Sequence, residues 1–164
     1  MYKKILNNKN LPVTTILAKE LLTVNEDIHC YGLRLTTDEA ISIIEKRNQS
    51  LEDNGRLEFN NVLIKKLIIE FASSGYITQD NYAETIYDLI DIFYFYKNET
   101  YDKLSDDELI AIMRDSYDNE CEGSLELLQC RTLDNISHDI KDQVIEGEHT
   151  KLQRGINNEG LKDQ

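Results

Sequence analysis

Residues 79–97 read QDNYAETIYDLIDIFYFYK and contain the longest apolar-rich run of the chain. The apolar side chains recur every three or four residues, and towards the C-terminal end they extend almost all round the helix. A helix that is apolar on nearly every side is typically buried. The segment therefore predicts the central helix of a bundle. Its main apolar stripe comprises Tyr82, Ile86, Leu89, Ile90 and Phe93.

Helical spacing and capping signals also mark the flanking segments. Thr36 with Glu39, and Ser105 with Glu108, have the spacing of a capping box, in which each residue satisfies a free backbone N–H at a helix start. The sequence predicts a mainly α-helical fold, a compact bundle of about five to seven helices. The expected helices are residues 11–22, 37–54, 61–72, 79–97, 106–122, 125–128 and 133–144.

Two short segments alternate apolar and other side chains with the period of a β-strand. These are Tyr31–Thr36 and Arg56–Phe59. They predict a minor two-stranded β-ribbon. An isolated ribbon is marginal in water, so this one would have to pack on the helices.

The length of 164 residues fits one domain. We expect a single helical domain over residues 1–145. Residues 146–164 are polar and lack apolar periodicity, which predicts a flexible C-terminal tail. One proline and seven glycines disfavour a turn-rich β-sandwich.

The sequence favours a cytoplasmic protein. The first twenty residues lack the pattern of a signal peptide, and no segment approaches the length of a membrane span. The three cysteines, Cys30, Cys121 and Cys130, are few and odd in number, which suits a reducing compartment.

The net charge of −13 lies entirely in the second half of the chain. Residues 1–76 hold ten acids and ten bases, whereas residues 77–164 hold 21 acids and eight bases. An acidic surface repels phosphate, so binding to nucleic acid or to an anionic membrane is disfavoured. A basic protein partner is the alternative to a charge that serves solubility alone.

An interaction surface is predicted where exposed tyrosines meet acids. Too many aromatic residues follow one another at the end of the central helix for all of them to be buried in a small bundle. The candidate residues are Tyr94, Tyr96, Tyr101, Asp106 and Asp107.

A second candidate is a divalent-metal site in residues 118–129. Acids occupy the first, third and fifth positions, glycine the sixth and an aliphatic residue the eighth, as in an EF-hand loop. The twelfth residue, Gln129, is neutral where that loop needs a bidentate glutamate, so calcium binding is disfavoured. The candidate ligands are Asp118, Glu120, Glu122 and Glu126.

Two further groups have metal-ligating chemistry. Glu84, Asp88 and Asp91 share one helical face, although a solvated polar face is the more frequent outcome. Cys121, Cys130 and His138 lack the spacing of a zinc site, and buried free cysteines explain the pattern better.

Several segments together resemble a family of uncharacterised proteins from clostridia and related Gram-positive bacteria, a domain of unknown function. The resemblance covers roughly residues 30–135 and implies a bacterial cytoplasmic protein, with no known activity and no catalytic residues. The segments are Tyr31–Thr36, Arg47–Asn48, Gly55–Phe59, Asn81–Thr85, Leu104–Leu109 and Gly123–Glu126.

Two functions follow as hypotheses. The chain lacks a nucleophile elbow, a phosphate loop and a dinucleotide fingerprint, which favours a non-enzymatic role without a cofactor. We expect a protein-interaction module with an unidentified protein partner. The alternative is a helical protein that binds a divalent metal or a small molecule through a carboxylate cluster.

Calcium up to about 1 mM should leave the melting temperature unchanged at physiological salt, because a ligand stabilises a protein only above its dissociation constant. Thermal melts with and without calcium test this. Stoichiometric binding below ~10 μM that is abolished by Asp118→Ala would instead indicate a calcium sensor.

Overall fold

The computed structural model describes the backbone of residues 13–159 and the side chains of residues 13–152. This part of the chain contains six α-helices of nine or more residues and no β-strand, which confirms the predicted mainly α-helical class. The helices are α1 (13–21), α2 (Thr37–Asp53), α3 (Val62–Ala72), α4 (Tyr82–Glu99), α5 (Asp106–Asp118) and α6 (Asp134–Glu159).

Helix α4 packs against α2, α3 and α5, in agreement with its apolar surface. It also carries three buried tyrosines, Tyr82, Tyr94 and Tyr96. A buried phenol retains an O–H group that needs an acceptor. The Tyr82 hydroxyl donates to the carbonyl of Ile68 in α3 at 2.7 Å, which ties these two helices together.

Both predicted capping boxes form. Thr36 and Glu39 exchange hydrogen bonds at the start of α2, and Ser105 and Glu108 do so at the start of α5. Each pair satisfies two backbone N–H groups that the first helical turn leaves free.

Helix α4 begins at Tyr82, three residues later than expected. Thr78, which the sequence predicts as its cap, lies three residues before the actual N-cap residue, Asn81. Thr78 donates its backbone N–H to Asn81 Oδ1 at 2.8 Å, within a turn that precedes the helix. This turn leaves Gln79 outside the helix, where its side chain can bond to the backbone of Arg34.

The predicted ribbon of Tyr31–Thr36 with Arg56–Phe59 does not form, since residues 13–159 contain no strand. Side-chain amides take the place of the missing strand. Gln79 accepts from the Arg34 backbone N–H and donates to the Arg34 carbonyl, both at 2.8 Å.

Asn25 pairs in the same way with the next residue, Leu35. It accepts the Leu35 N–H at 2.8 Å and donates to the Leu35 carbonyl at 3.0 Å. Leu35 is thereby held in the core while the backbone of Arg34 and Leu35 needs no second strand.

The C-terminal region is helical from Leu125 onwards but contains a wider turn. Leu125–Leu127 is a single α-turn, Leu128–Leu133 is a π-helical turn, and α6 follows directly. Such turns carry one more residue per hydrogen-bonded ring than an α-helix.

Helix α6 continues past residue 145, where the polar tail was expected to begin. Its side chains from Ile145 to Leu152 are all exposed. The flexibility of residues 146–164 and the single domain over residues 1–145 stay predictions. Residues 1–12 and 160–164 lie outside the described part of the chain.

None of the helices that the structure describes has the length and apolarity to cross a membrane.

Gly123 and Gly147 form a matched pair for testing the packing. Gly123 has a φ of 79°, and a β-carbon there would lie 2.6 Å from the Tyr76 ring. Gly147 lies in α6 with open space around it. We expect Gly123→Ala to cost about 1–3 kcal/mol of unfolding free energy. Gly147→Ala should instead stabilise by about 0.5–1 kcal/mol.

Urea denaturation of both variants measures these changes. Equal midpoints for Gly123→Ala and the wild type would contradict the close approach of Tyr76 to the backbone at Gly123.

Candidate interaction surface

The loop between α2 and α3 has its polar side chains turned inward and its apolar ones turned outward. Leu57 and Phe59 are 83% and 86% exposed. Arg56 precedes Leu57, and Glu58 lies between Leu57 and Phe59. Both are half-buried and bonded to the body of the protein. We call residues 56–60 the anchored loop.

Arg56 and Glu58 hold the loop on α4. The Arg56 guanidinium donates to Asn98 at 2.8 Å and forms an ion pair with Asp102 at 2.9 Å. The Tyr94 hydroxyl donates to the Glu58 carboxylate at 2.6 Å.

The spacing of these contacts shows that the anchored loop is extended. Tyr94 and Asn98 are one turn apart on α4, a rise of about 6 Å. Their partners Glu58 and Arg56 are two residues apart, which spans about 6.6 Å in an extended chain. The two distances match, so the loop runs along α4 in the opposite direction.

A buried guanidinium fixes the far end of the anchored loop. Arg47 in α2 is only 2% exposed. It donates to the backbone carbonyl of Asn60 at 2.7 Å and to Asn61 Oδ1 at 3.3 Å. Its remaining donors bind Asn48 Oδ1 at 3.1 and 3.3 Å. The donors are thus satisfied by neutral oxygens.

The protonation states of the α4 contacts suit neutral pH. Burial, and secondarily the Glu58 carboxylate, raises the pKa of Tyr94 well above its usual value, so the phenol keeps its donor proton. The Arg56 guanidinium lowers the pKa of Asp102, which keeps the partner carboxylate ionised. Both contacts persist over the physiological range.

Two further exposed apolar residues are linked to the anchored loop, one by sequence and one through an ion pair. Val62, in the first turn of α3, is 55% exposed, and so is Tyr101 in the loop after α4. Tyr101 adjoins Asp102, the ion-pair partner of Arg56. Apolar residues rimmed by charges are typical of protein-binding sites.

The five residues of the predicted interaction surface occupy different environments. Tyr94 and Tyr96 are buried, at 1% and 2% exposure, and Tyr101 is exposed. Tyr94 thus supports the anchored loop from below. Tyr96 lies between the Gln129 carbonyl at 2.8 Å and Asp134 at 2.5 Å.

The two predicted acids of that surface are engaged in ion pairs. Asp106 binds Lys97 at 2.9 Å, and Asp107 binds Lys66 at 2.8 Å. Both pairs join α5 to a neighbouring helix, although Asp107 keeps most of its side chain in solvent.

The four candidate metal ligands are not turned to a common centre. Asp118 accepts from Ser74 at 2.6 Å and forms an ion pair with Arg114 at 2.7 Å. Glu120 accepts from the hydroxyl of Thr132 at 3.0 Å. Glu122 lies in the turn after α5 with a left-handed backbone, at a φ of 48°. Glu126 lines a separate cleft.

That cleft has a volume of about 750 Å³ and lies between α2, α4 and the 125–129 segment. It brings Asp88 and Asp91 together with Glu126, although Asp91 already pairs with Lys46 at 2.5 Å. Burial raises the pKa of Asp88. Side chains lining the cleft include Asp53, Asp88, Asp91, Glu126, Ile92 and Phe95.

The cysteines are not combined into a site. Cys121 is buried, with its sulfur 3.8 Å from the Thr132 hydroxyl, whereas Cys30 and Cys130 are exposed free thiols. His138 is exposed. Among the described side chains, no three His, Cys, Asp or Glu residues are grouped as metal ligands.

Comparison with known families places this surface in context. A model of a family of unknown function, DUF6323, matches residues 20–146. The chain belongs to DUF6323. No curated protein and no solved structure matches it.

The DUF6323 match includes the complete anchored loop and helix α4. It ends at residue 146, within α6. The loop, its Tyr94 anchor and the outward residues Leu57 and Phe59 therefore belong to the family domain and not to an appended segment.

The alternating pattern assigns Leu57 and Phe59 to a ribbon strand, so neither is among the residues of the predicted interaction surface. The signal that marks them is the charged residue before each one. Arg56 and Glu58 both find partners on α4, which turns the alternate apolar residues to solvent.

Replacing Tyr94 by Phe should release Glu58 and loosen the anchored loop. We expect a loss of about 1–2 kcal/mol in unfolding free energy, because a charge-assisted hydrogen bond is removed. The steady-state ¹⁵N–{¹H} NOE of the amides of residues 57–59 should fall, because the released loop moves more freely.

Tyr101→Phe is the control, since its hydroxyl belongs to an exposed side chain, and it should change stability by less than ~0.5 kcal/mol. If both variants keep the wild-type NOE values at residues 57–59, the Tyr94 contact does not hold the loop.

Proposed function

We propose that this DUF6323 chain is a protein-interaction module whose contact surface is centred on Leu57 and Phe59. One observation carries the proposal. These two large apolar side chains are 83% and 86% exposed although the loop bearing them is bonded to α4 on both sides of Leu57. A free loop would lower its free energy by turning these apolar side chains inward. The contacts of Arg56 and Glu58 with α4 keep them pointing outward.

The free energy available from this surface suits a reversible complex. Full burial of a large apolar side chain contributes about 1.5–3 kcal/mol. Phe59 and Leu57 together therefore offer about 3–6 kcal/mol before other contacts are counted. Because the loop is already ordered by its anchors, less conformational entropy is lost on binding.

The charges around the surface favour a basic partner. Glu58, Asp102 and Asp106 act electrostatically on Arg56, so they lie near the anchored loop. The net charge of −13 adds a long-range attraction for cations and disfavours phosphate-bearing partners. A protein with apolar side chains among lysines or arginines fits both features. We place this complex in the cytoplasm of a bacterium.

A second candidate function is the binding of a small cationic molecule in the acidic cleft. Its support is the juxtaposition of Asp53, Asp88 and Glu126 with Phe95, a partly exposed ring at which a cation could stack. Calorimetry with spermidine and with divalent cations, comparing wild type with Asp88→Asn, separates this function from the first.

Site-specific photo-crosslinking tests the interaction module. Purified protein with benzoyl-phenylalanine in place of Phe59 is irradiated in a lysate of the native host. The same probe in place of Tyr31, another aromatic residue that is 53% exposed, gives the control position. We expect a discrete adduct from position 59 that position 31 does not give. Raising the salt to about 0.5 M should reduce it, because salt screens charge attraction.

A competition experiment supplies the control. Added wild-type protein should suppress the adduct, whereas the double variant Leu57→Ser, Phe59→Ser should not, provided that its circular dichroism and melting match the wild type. Identical adducts from both probe positions, or suppression by both competitors, would count against the proposal.

A further inference from the structure

The two segments expected to form a ribbon differ in how their backbones are satisfied. Arg34 and Leu35 have both backbone groups bonded to the amides of Gln79 and Asn25. The backbone N–H and C=O groups of Leu57, Glu58 and Phe59 have no hydrogen-bond partner within residues 13–159. The backbone of residues 34–35 is therefore fully hydrogen-bonded, whereas residues 57–59 present unpaired backbone groups, which we call the open edge.

The alternation of side chains determines where this edge points. In an extended chain the backbone groups lie perpendicular to the side chains, and successive residues direct them to opposite edges. Because Glu58 points to α4 and Leu57 and Phe59 point to solvent, the backbone groups lie along the protein surface. Leu57 and Phe59 direct theirs to one edge, and Glu58 to the other.

We propose that the partner pairs with the anchored loop as a β-strand. This inference rests on the proposed function and specifies its recognition mode, addition of an extended peptide to an open edge. The partner segment would exchange N–H···O=C bonds with Leu57 and Phe59. The binding would complete the ribbon that the chain itself leaves unfinished.

The chemistry of the partner segment follows from the two faces of such a strand. Its outward side chains would lie beside Leu57 and Phe59, so these positions are apolar. The alternate side chains would face the body of the protein. Asp102 and Asp106 lie near Arg56 at the start of the anchored loop, and beside the cations they pair with they keep 54% and 48% of their side chains exposed. These alternate positions are therefore lysine or arginine. An extended segment that alternates apolar and basic residues therefore fits the edge.

A synthetic peptide of alternating lysine and valine, ten residues long with blocked ends, serves as the probe. Its titration into the ¹⁵N-labelled full chain is followed by backbone amide shifts and hydrogen exchange. We expect the amides of Leu57 and Phe59 to become protected at least tenfold, while the Glu58 amide, on the opposite edge, stays unprotected.

Two matched peptides isolate the backbone contribution. Both carry N-methyl groups on alternate residues, one at the lysines and the other at the valines, which keeps charge and side chains but blocks one hydrogen-bonding edge in each. The two should differ, and one should bind at least tenfold more weakly than the parent peptide. A third peptide, of alternating glutamate and valine, tests the charge: it should not bind, because it lacks charge complementarity.

Each remaining outcome overturns the strand pairing. Equal binding of the parent and both methylated peptides, still dependent on Phe59, would leave the interaction surface but exclude pairing by the backbone. Absence of binding up to about 1 mM would exclude the proposed chemistry. Protection of the Leu57 and Phe59 amides in the free protein would show another occupant, and sedimentation velocity would identify it as a second copy or as the chain itself.

The failure of this inference and that of the proposed function remain distinguishable. The crosslink from position 59 depends only on contact with a partner, whereas amide protection depends on backbone pairing. A specific adduct without protection would retain the interaction module and remove the strand.

Discussion

The interior of this protein depends on the need of buried phenols for acceptors. Helix α4 is apolar enough to lie at the centre, yet three of its side chains end in hydroxyls. Each hydroxyl binds a different element: Tyr82 binds α3, Tyr94 binds the anchored loop, and Tyr96 binds the π-helical turn and the start of α6. An unsatisfied hydroxyl in this environment would cost about 1–3 kcal/mol, so the acceptors are placed as strictly as the apolar contacts.

The same requirement explains the unusual surface beside α4. Tyr94 draws the Glu58 carboxylate inward, and the ion pair of Arg56 with Asp102 draws in a second polar side chain. In an extended segment, residues adjacent to inward ones must point outward. The exposure of Leu57 and Phe59 is therefore a direct consequence of core chemistry on α4.

Local signals in the sequence predict the helical part of the fold well. The 3.6-residue apolar spacing and the capping boxes at Thr36 and Ser105 depend on residues close in the chain, and the structure confirms them. Short-range patterns could not predict that the ribbon is absent. Its failure depends on Gln79, 45 residues from Arg34, which replaces a strand with a side-chain amide. The orientation of Phe59 likewise depends on α4 partners that no short-range pattern reveals.

The π-helical turn between Leu128 and Leu133 lets the chain carry one residue more than an α-helical turn would hold, while α6 keeps its phase. If one residue were deleted there, the turn could close as an α-helix with Asp134 still beside Tyr96 and Ser137, now 3% exposed, still buried. The same deletion a few residues later would find no wide turn to absorb it, and every residue after it would rotate by about 100°. Beyond residue 145 the described side chains are exposed, so such a rotation would displace no packed side chain among them. One-residue deletions should therefore be tolerated in the π-helical turn and in the distal half of α6, and should disrupt the packing between these two regions.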